Sequence, residues 1–183
     1  MNKPKLILLN GNPGMGKSTL AQRYIDNHPM ALNLDIDNIW FMMGGWRTEP
    51  KADVLRFKYA HTIAAMHLLE GCDVIVPQII ETTERYEEFE NLAVNHNAEL
   101  HEILLRAPVE NAIERFKARA RAEGFADGFR PGGITDRGGR EAFLAQRYNN
   151  VLAAAATRPN IVVIESIEGD IADAYQQLLS ATE

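Results

Sequence analysis

Lys5–Thr19 reads KLILLN-GNPGMGKST, and the fold is decided there. Lys5–Asn10 is a short apolar run closed by a turn-former, the pattern of a strand buried on both faces. Gly11-Asn12-Pro13-Gly14-Met15-Gly16-Lys17-Ser18 then satisfies the phosphate-binding pattern G-x-x-x-x-G-K-[ST], with Thr19 next. Lys17–Asn27 has helical spacing up to the stop at His28-Pro29. In this order the glycines tolerate positive φ, backbone N–H groups approach phosphate oxygens, and the helix N-terminus adds partial positive charge. Lys17 can reach the β- and γ-phosphates of a nucleotide, and the Ser18 hydroxyl can ligate Mg²⁺. The alternative is a glycine turn with no ligand. A chance match in a chain of this composition has a probability of about 0.002, which favours the nucleotide site.

Outward from this unit, strands and helices alternate. Ala31–Asp35 reads as a second strand, followed by a helix starting near Asp37 and stalling at Gly44-Gly45. Asp53–Glu70 reads as a helix with Leu55, Tyr59, Ile63, Met66 and Leu69 on one face, and Gly71 ends it. Val74–Ile80 is a buried strand, Thr83–Asn95 a helix, Leu100–Leu105 a strand and Pro108–Glu123 a helix with Pro near its start. Gly124–Gly139 holds six glycines in sixteen residues and marks a lid over about 121–141. Glu141–Ala156, Asn160–Glu165 and Ile171–Leu179 complete the chain as helix, strand and helix. The expectation is a three-layer α/β P-loop NTPase fold with about five parallel strands and helices on both faces. With no repeat, low-complexity stretch or linker, residues 1–183 are expected to form a single domain.

Composition narrows the function. The 183 residues are 46% hydrophobic and 24% charged, with a net charge of −6, and no apolar run can span a bilayer. The lone Cys72 forms no internal disulfide and Met1–Lys5 lacks a secretory pattern, so a cytoplasmic setting is expected. The acidic balance argues against bulk nucleic-acid binding. Charge is uneven, however: between Arg106 and Arg147 eight arginines and Lys117 face six acids, a local excess of +3 within an acidic protein. Such a concentration points to a specific anionic ligand. The five histidines show no ligand spacing, and no zinc site is expected.

The acids refine the reading. Motor, GTPase and AAA-type ATPases place an Asp at the C-terminal end of an apolar strand, but Val74–Ile80 has none there; Asp73 stands at the wrong end and Glu81 one turn late. A hydrolysis-driven machine is therefore disfavoured. Asp35-Ile36-Asp37 instead ends the second strand, on the sheet edge where the phosphate loop opens, with both carboxylates on one side of Ile36. One can hold a Mg²⁺-bound water and the other accept a proton from an acceptor hydroxyl. Asp37 also stands where it can cap the following helix.

Phosphate loop, D-x-D pair and arginine-rich glycine lid together resemble the small-molecule kinases of the P-loop nucleoside/shikimate kinase-like superfamily; shikimate kinase and chloramphenicol phosphotransferase are similar in layout. The resemblance covers most of the chain. It implies ATP and Mg²⁺ as cofactors, Lys17, Asp37 and Arg119 as catalytic residues, Asp35 nearer the metal and Asp37 nearer the acceptor hydroxyl. Arg119 would lie against adenine or phosphates, with Arg115, Arg121 and Arg130 as further candidates, and one of Arg137, Arg140 and Arg147 would return to the phosphates as the lid shuts. Arg158, in the loop before the final strand, occupies the place where related kinases pack adenine. Each of these arginines has the alternative of pairing with Glu110, Glu114 or Glu141 on a solvated face.

Trp40, Phe41, Met42, Met43, Trp46, Phe57 and Tyr59, with Arg47 and Arg56 among them, lie where such kinases build the acceptor site. They read as an aromatic pocket with an arginine for an acidic substituent, or as a helix packed on the sheet; Gln78 can also face the acceptor. The leading expectation is an ATP- and Mg²⁺-dependent kinase of a small hydroxyl-bearing substrate, with no membrane or bulk nucleic-acid partner. The alternatives are a kinase of nucleotides or nucleic-acid 5′ ends, and an ATP-binding regulatory or toxin-type protein.

Overall fold

The computed structural model describes residues 3–129, 139–167 and 169–183. Its sheet is built on β1 (Lys5–Asn10), flanked by β3 (Val74–Pro77) and β4 (Glu99–Arg106), with β2 (Leu32–Asn33) and β5 (Val162–Glu165) outside them. The order is β2-β3-β1-β4-β5 and every pairing is parallel. This is the three-layer α/β P-loop NTPase fold expected from the sequence.

Strand alternation divides the core. Leu6, Leu8, Val74 and Val76 point to one face, where they meet Phe57, Ala60, Ala64 and Leu68 of α3 (Pro50–Leu69) and Tyr86 and Phe89 of α4 (Thr83–Asn95). Ile7, Leu9, Ile75, Ile103 and Leu105 point to the other. There they meet Leu20, Ala21 and Tyr24 of α1 (Lys17–Asn27), Ala112 of α5 (Val109–Ala122) and Leu178 of α7 (Ile171–Thr182). Because both faces are covered, the central strands are apolar at consecutive positions. The remaining helices are α2 (Ile36–Phe41) and α6 (Arg140–Ala155). Among the described residues no helix is long and apolar enough to cross a membrane.

Three expectations change. The second strand shrinks from Ala31–Asp35 to Leu32–Asn33, because it sits at the edge and pairs only with β3. The third strand stops at Pro77, whose missing N–H cannot continue a ladder; Gln78 N still donates to Leu9 O at 3.2 Å. Helix α3 begins at Pro50, and the apolar stripe read from its sequence faces outward: Tyr59, Ile63, Met66 and Leu69 are exposed, while Ala52, Phe57, Ala60, Ala64 and Leu68 are buried. The helix is apolar on both sides, and the alanines permit the closer approach to the sheet. The lid residues 130–138, with Arg130 and Arg137, lie outside the described residues.

Candidate active site

The phosphate loop runs from the C-terminal end of β1 into α1. Gly14 and Gly16 hold φ of 86° and 83°, the left-handed region that glycine enters without steric cost. Gly14 also has no room for a side chain: a Cβ would lie 2.9 Å from the Ala112 carbonyl oxygen and 3.2 Å from Arg115 Cβ. The loop is thus seated directly against α5. Gly11, Asn12 and Met15 are buried, Pro13, Gly14 and Gly16 half-buried, and Ser18 and Thr19 exposed at the start of α1.

Asn10, absent from the sequence-derived set, fixes the loop's entrance. Its Oδ1 accepts from Gly11 N at 2.7 Å and Ile80 N at 2.9 Å, while its Nδ2 donates to Ile80 O at 3.0 Å and Tyr86 Oη at 2.7 Å. Fully buried, it ties the loop to the segment after β3. The available signal was a polar residue closing an otherwise apolar strand directly before the loop.

Lys17 is buried, and its Nζ donates to Gly11 O at 2.7 Å and Asn12 O at 3.0 Å. Burial pushes its ammonium down to about 7; Asp37 and Asp35 oppose the shift, Arg147 and Arg119 add to it. The charges of these four side chains therefore act on the Lys17 ammonium. Asp35 caps α2, accepting from Asp37 N at 3.0 Å, so the capping role falls to Asp35 and not to Asp37. Burial raises the Asp35 pKa, and the neighbouring Asp37 charge raises it further. A divalent cation would relieve both effects, and the Asp35 carboxylate and Ser18 hydroxyl are the hard oxygen donors that suit Mg²⁺. Among the described residues no three His, Cys, Asp or Glu side chains gather into a metal cluster of their own.

Asp37 accepts from Arg56 Nη1 at 2.5 Å. Arg56 also holds Asp53 through Nε at 2.9 Å and lies over the rings of Trp40 and Phe57. It therefore orients Asp37 and is already spent on two carboxylates. Arg47, also expected at the substrate, is exposed and stacks on Trp46, which packs against Trp40 and Phe41. Gln78 is buried at the end of β3, with its Oε1 accepting from Ile79 N.

The arginines separate clearly. Arg119 is exposed on α5, over the Phe116 ring, with no ion-pair partner among the described residues. Arg115 instead braces the loop, donating to Ser166 Oγ and O; Ser166 Oγ donates in turn to Met15 O. Arg121 pairs with Glu114 and Arg140 with Asp127. Arg147 pairs with Glu81 at 2.6 Å and acts on Lys17. Arg158 is not brought to the loop: it binds Glu102 at 2.9 Å and Glu90 at 2.7 Å and lies over the Tyr86 ring. It precedes β5, so it belongs to the strands' N-terminal edge, opposite the loop. A cavity of about 500 Å³ between α5 and the segment after β5, lined by Pro108, Asn111, Arg115, Ser166 and Ile167, adjoins the loop instead.

A family model described as an AAA domain matches residues 6–129. The chain belongs to this AAA domain family. On sequence, the chain departs from hydrolysis-driven ATPases in lacking an acid after the third strand; the family match concerns kinship alone. The site keeps the departure, since β3 ends on Pro77 and Glu81 is bound to α6.

No curated protein matches the chain in sequence. Solved structures do match in fold. A chain of the Pnkp1/Rnl/Hen1 RNA repair complex is 19% identical with a TM-score of 0.71, over 86% of this chain and 47% of that one. This chain therefore spans about half the length of that relative. The tunicamycin resistance protein of Deinococcus radiodurans is 16% identical, TM-score 0.63, over 98% and 95% of the two chains. The APS kinase of Mycobacterium tuberculosis is 14% identical, TM-score 0.58, over 100% and 99%. At these identities the likeness is one of fold, a small P-loop kinase-like fold.

Proposed function

We propose that the chain is an ATP- and Mg²⁺-dependent phosphotransferase that moves a γ-phosphoryl group to a hydroxyl of a small molecule. The observation that carries this reading is the buried Lys17, held by two carbonyls of the phosphate loop, with the charges of Asp35, Asp37, Arg119 and Arg147 acting on it. In that arrangement the loop N–H groups and Lys17 bind the phosphates, and the cavity beside Arg115 and Ser166 receives the base. Arg119 and Arg147 stabilise charge that spreads over the transferring group. Asp37, oriented by Arg56, accepts the proton of the attacking hydroxyl. Bound Mg²⁺, held by Ser18 and Asp35, would neutralise phosphate charge. The packed rings of Trp40, Phe41 and Trp46, beside Arg56, form the aromatic surface that meets the acceptor.

A second acceptor class is favoured by the RNA repair relative: a nucleic-acid 5′-hydroxyl end. One experiment serves both readings. The chain is incubated with ATP labelled in the γ-phosphoryl and either a panel of hydroxyl metabolites or 5′-hydroxyl oligonucleotides, at rising salt. Label on a metabolite with little salt dependence supports the first reading; label on oligonucleotides with steep salt loss supports the second. Tight ATP binding with no labelled product would move the chain to the regulatory, toxin-type alternative.

A further inference from the structure

Glu81 lies between β3 and α4, and the chemistry above gives it no task. Its Oε2 accepts from Arg147 Nη2 at 2.6 Å and its Oε1 from Asn150 Nδ2 at 3.4 Å, both on α6. The Arg147 side chain is only 13% exposed and that of Glu81 26%, so water screens their attraction weakly. Helix α6 touches the phosphate loop at a second point, where Asn12 Nδ2 donates to Leu144 O at 3.4 Å. Leu144, Arg147 and Asn150 recur every three residues, so one stripe of α6 makes all three contacts. Arg147 Nε is buried with no partner among the described residues. One edge of this guanidinium is held by Glu81, and its charge acts on Lys17.

We infer that Glu81 is a positioning residue: by gripping Arg147 and Asn150 it seats α6 on the phosphate loop and aims the Arg147 guanidinium at the phosphoryl group in transfer. Both carboxylate oxygens are committed to α6, which distinguishes Glu81 from an acid that orients a hydrolytic water. The inference deepens the nucleotide reading and rests on it.

The test uses the full chain with two probes, MgADP and MgADP with aluminium fluoride, the latter mimicking the transferring group. Four variants are compared: Glu81→Gln, Glu81→Asp, Arg147→Ala and the Glu81→Gln/Arg147→Ala double. MgADP affinity is expected to stay within about threefold throughout, while affinity for the fluoride complex falls about 10–100-fold in Glu81→Gln and in Arg147→Ala. Because Glu81 acts through Arg147, the double variant is expected to lose no more than Arg147→Ala alone, and Glu81→Asp, which keeps the charge, to recover part of the loss. Multiplying losses in the double variant overturn the inference. So does an unchanged Glu81→Gln, or a parallel fall for both probes, which would indicate general damage. A wild-type chain that binds neither probe instead overturns the nucleotide reading on which the inference stands.

Discussion

Alanine at Gly14 separates two ways in which the phosphate loop constrains its glycines. Gly14 and Gly16 have nearly the same φ, 86° and 83°, so alanine at either site enters the left-handed region at a cost of about 1–2 kcal/mol. Only at Gly14 does the added methyl group collide. It would lie 2.9 Å from Ala112 O and 3.2 Å from both Arg115 Cβ and Phe116 N, whereas the nearest atom to a Gly16 methyl is Ile171 Cδ1 at 3.8 Å. Two of the three Gly14 neighbours are backbone atoms of α5, so relief requires the helix to move, adding about 1–3 kcal/mol. Urea unfolding at constant m-value should give losses of about 1–2 kcal/mol for Gly16→Ala and about 2–5 kcal/mol for Gly14→Ala. Since α5 carries Arg115 and Arg119, Gly14→Ala should also weaken MgATP binding more than Gly16→Ala does. Equal stability losses for the two variants would refute the seating of the loop on α5.

Lys17→Met tests the buried ammonium. Lowering its pKa from 10.5 to about 7 means the unfolded chain binds a proton that the folded chain lacks between those values, so stability rises with pH across that window. At about 1.4 kcal/mol per pKa unit the penalty below pH 7 approaches about 5 kcal/mol, offset by two hydrogen bonds of about 1 kcal/mol each. Without nucleotide, Lys17→Met should melt higher than wild type near about pH 6, the gap closing toward about pH 10; equal pH slopes would contradict this. Arg158→Met should cost about 3–5 kcal/mol by stranding the buried Glu102 carboxylate, yet leave MgATP affinity within about twofold. A large loss of affinity in calorimetric titration would return Arg158 to the adenine site.

Much of this was legible in the sequence because it depended on local pattern. The strand Lys5–Asn10, the helix Lys17–Asn27 and the loop between them are set by consecutive apolar residues, glycine spacing and the His28-Pro29 stop. The outward face of α3 was not legible, since a helix apolar on both sides does not declare which side a sheet will take. Arg158 reads like the other arginines until the fold brings Glu90 and Glu102 beside it from 68 and 56 residues away. The tie made by Asn10 and the pairing of Glu81 escaped for the same reason: their partners, Tyr86 and Arg147, lie 76 and 66 residues distant. Asp35 and Asp37 stand out in the sequence by their two-residue spacing, but the Arg56 bound to Asp37 comes from another helix.

The most direct measurement is transfer of labelled γ-phosphoryl from ATP to an acid-stable ester of a hydroxyl acceptor, in wild type, Lys17→Ala and Asp37→Asn. Label is expected in the ester with wild type, none with Lys17→Ala, and a rate about 10²–10⁴-fold lower with Asp37→Asn at similar ATP affinity. An Asp37→Asn variant that forms the ester at the wild-type rate would contradict the role of Asp37, and ATP bound tightly with label in no ester would contradict the phosphotransferase itself.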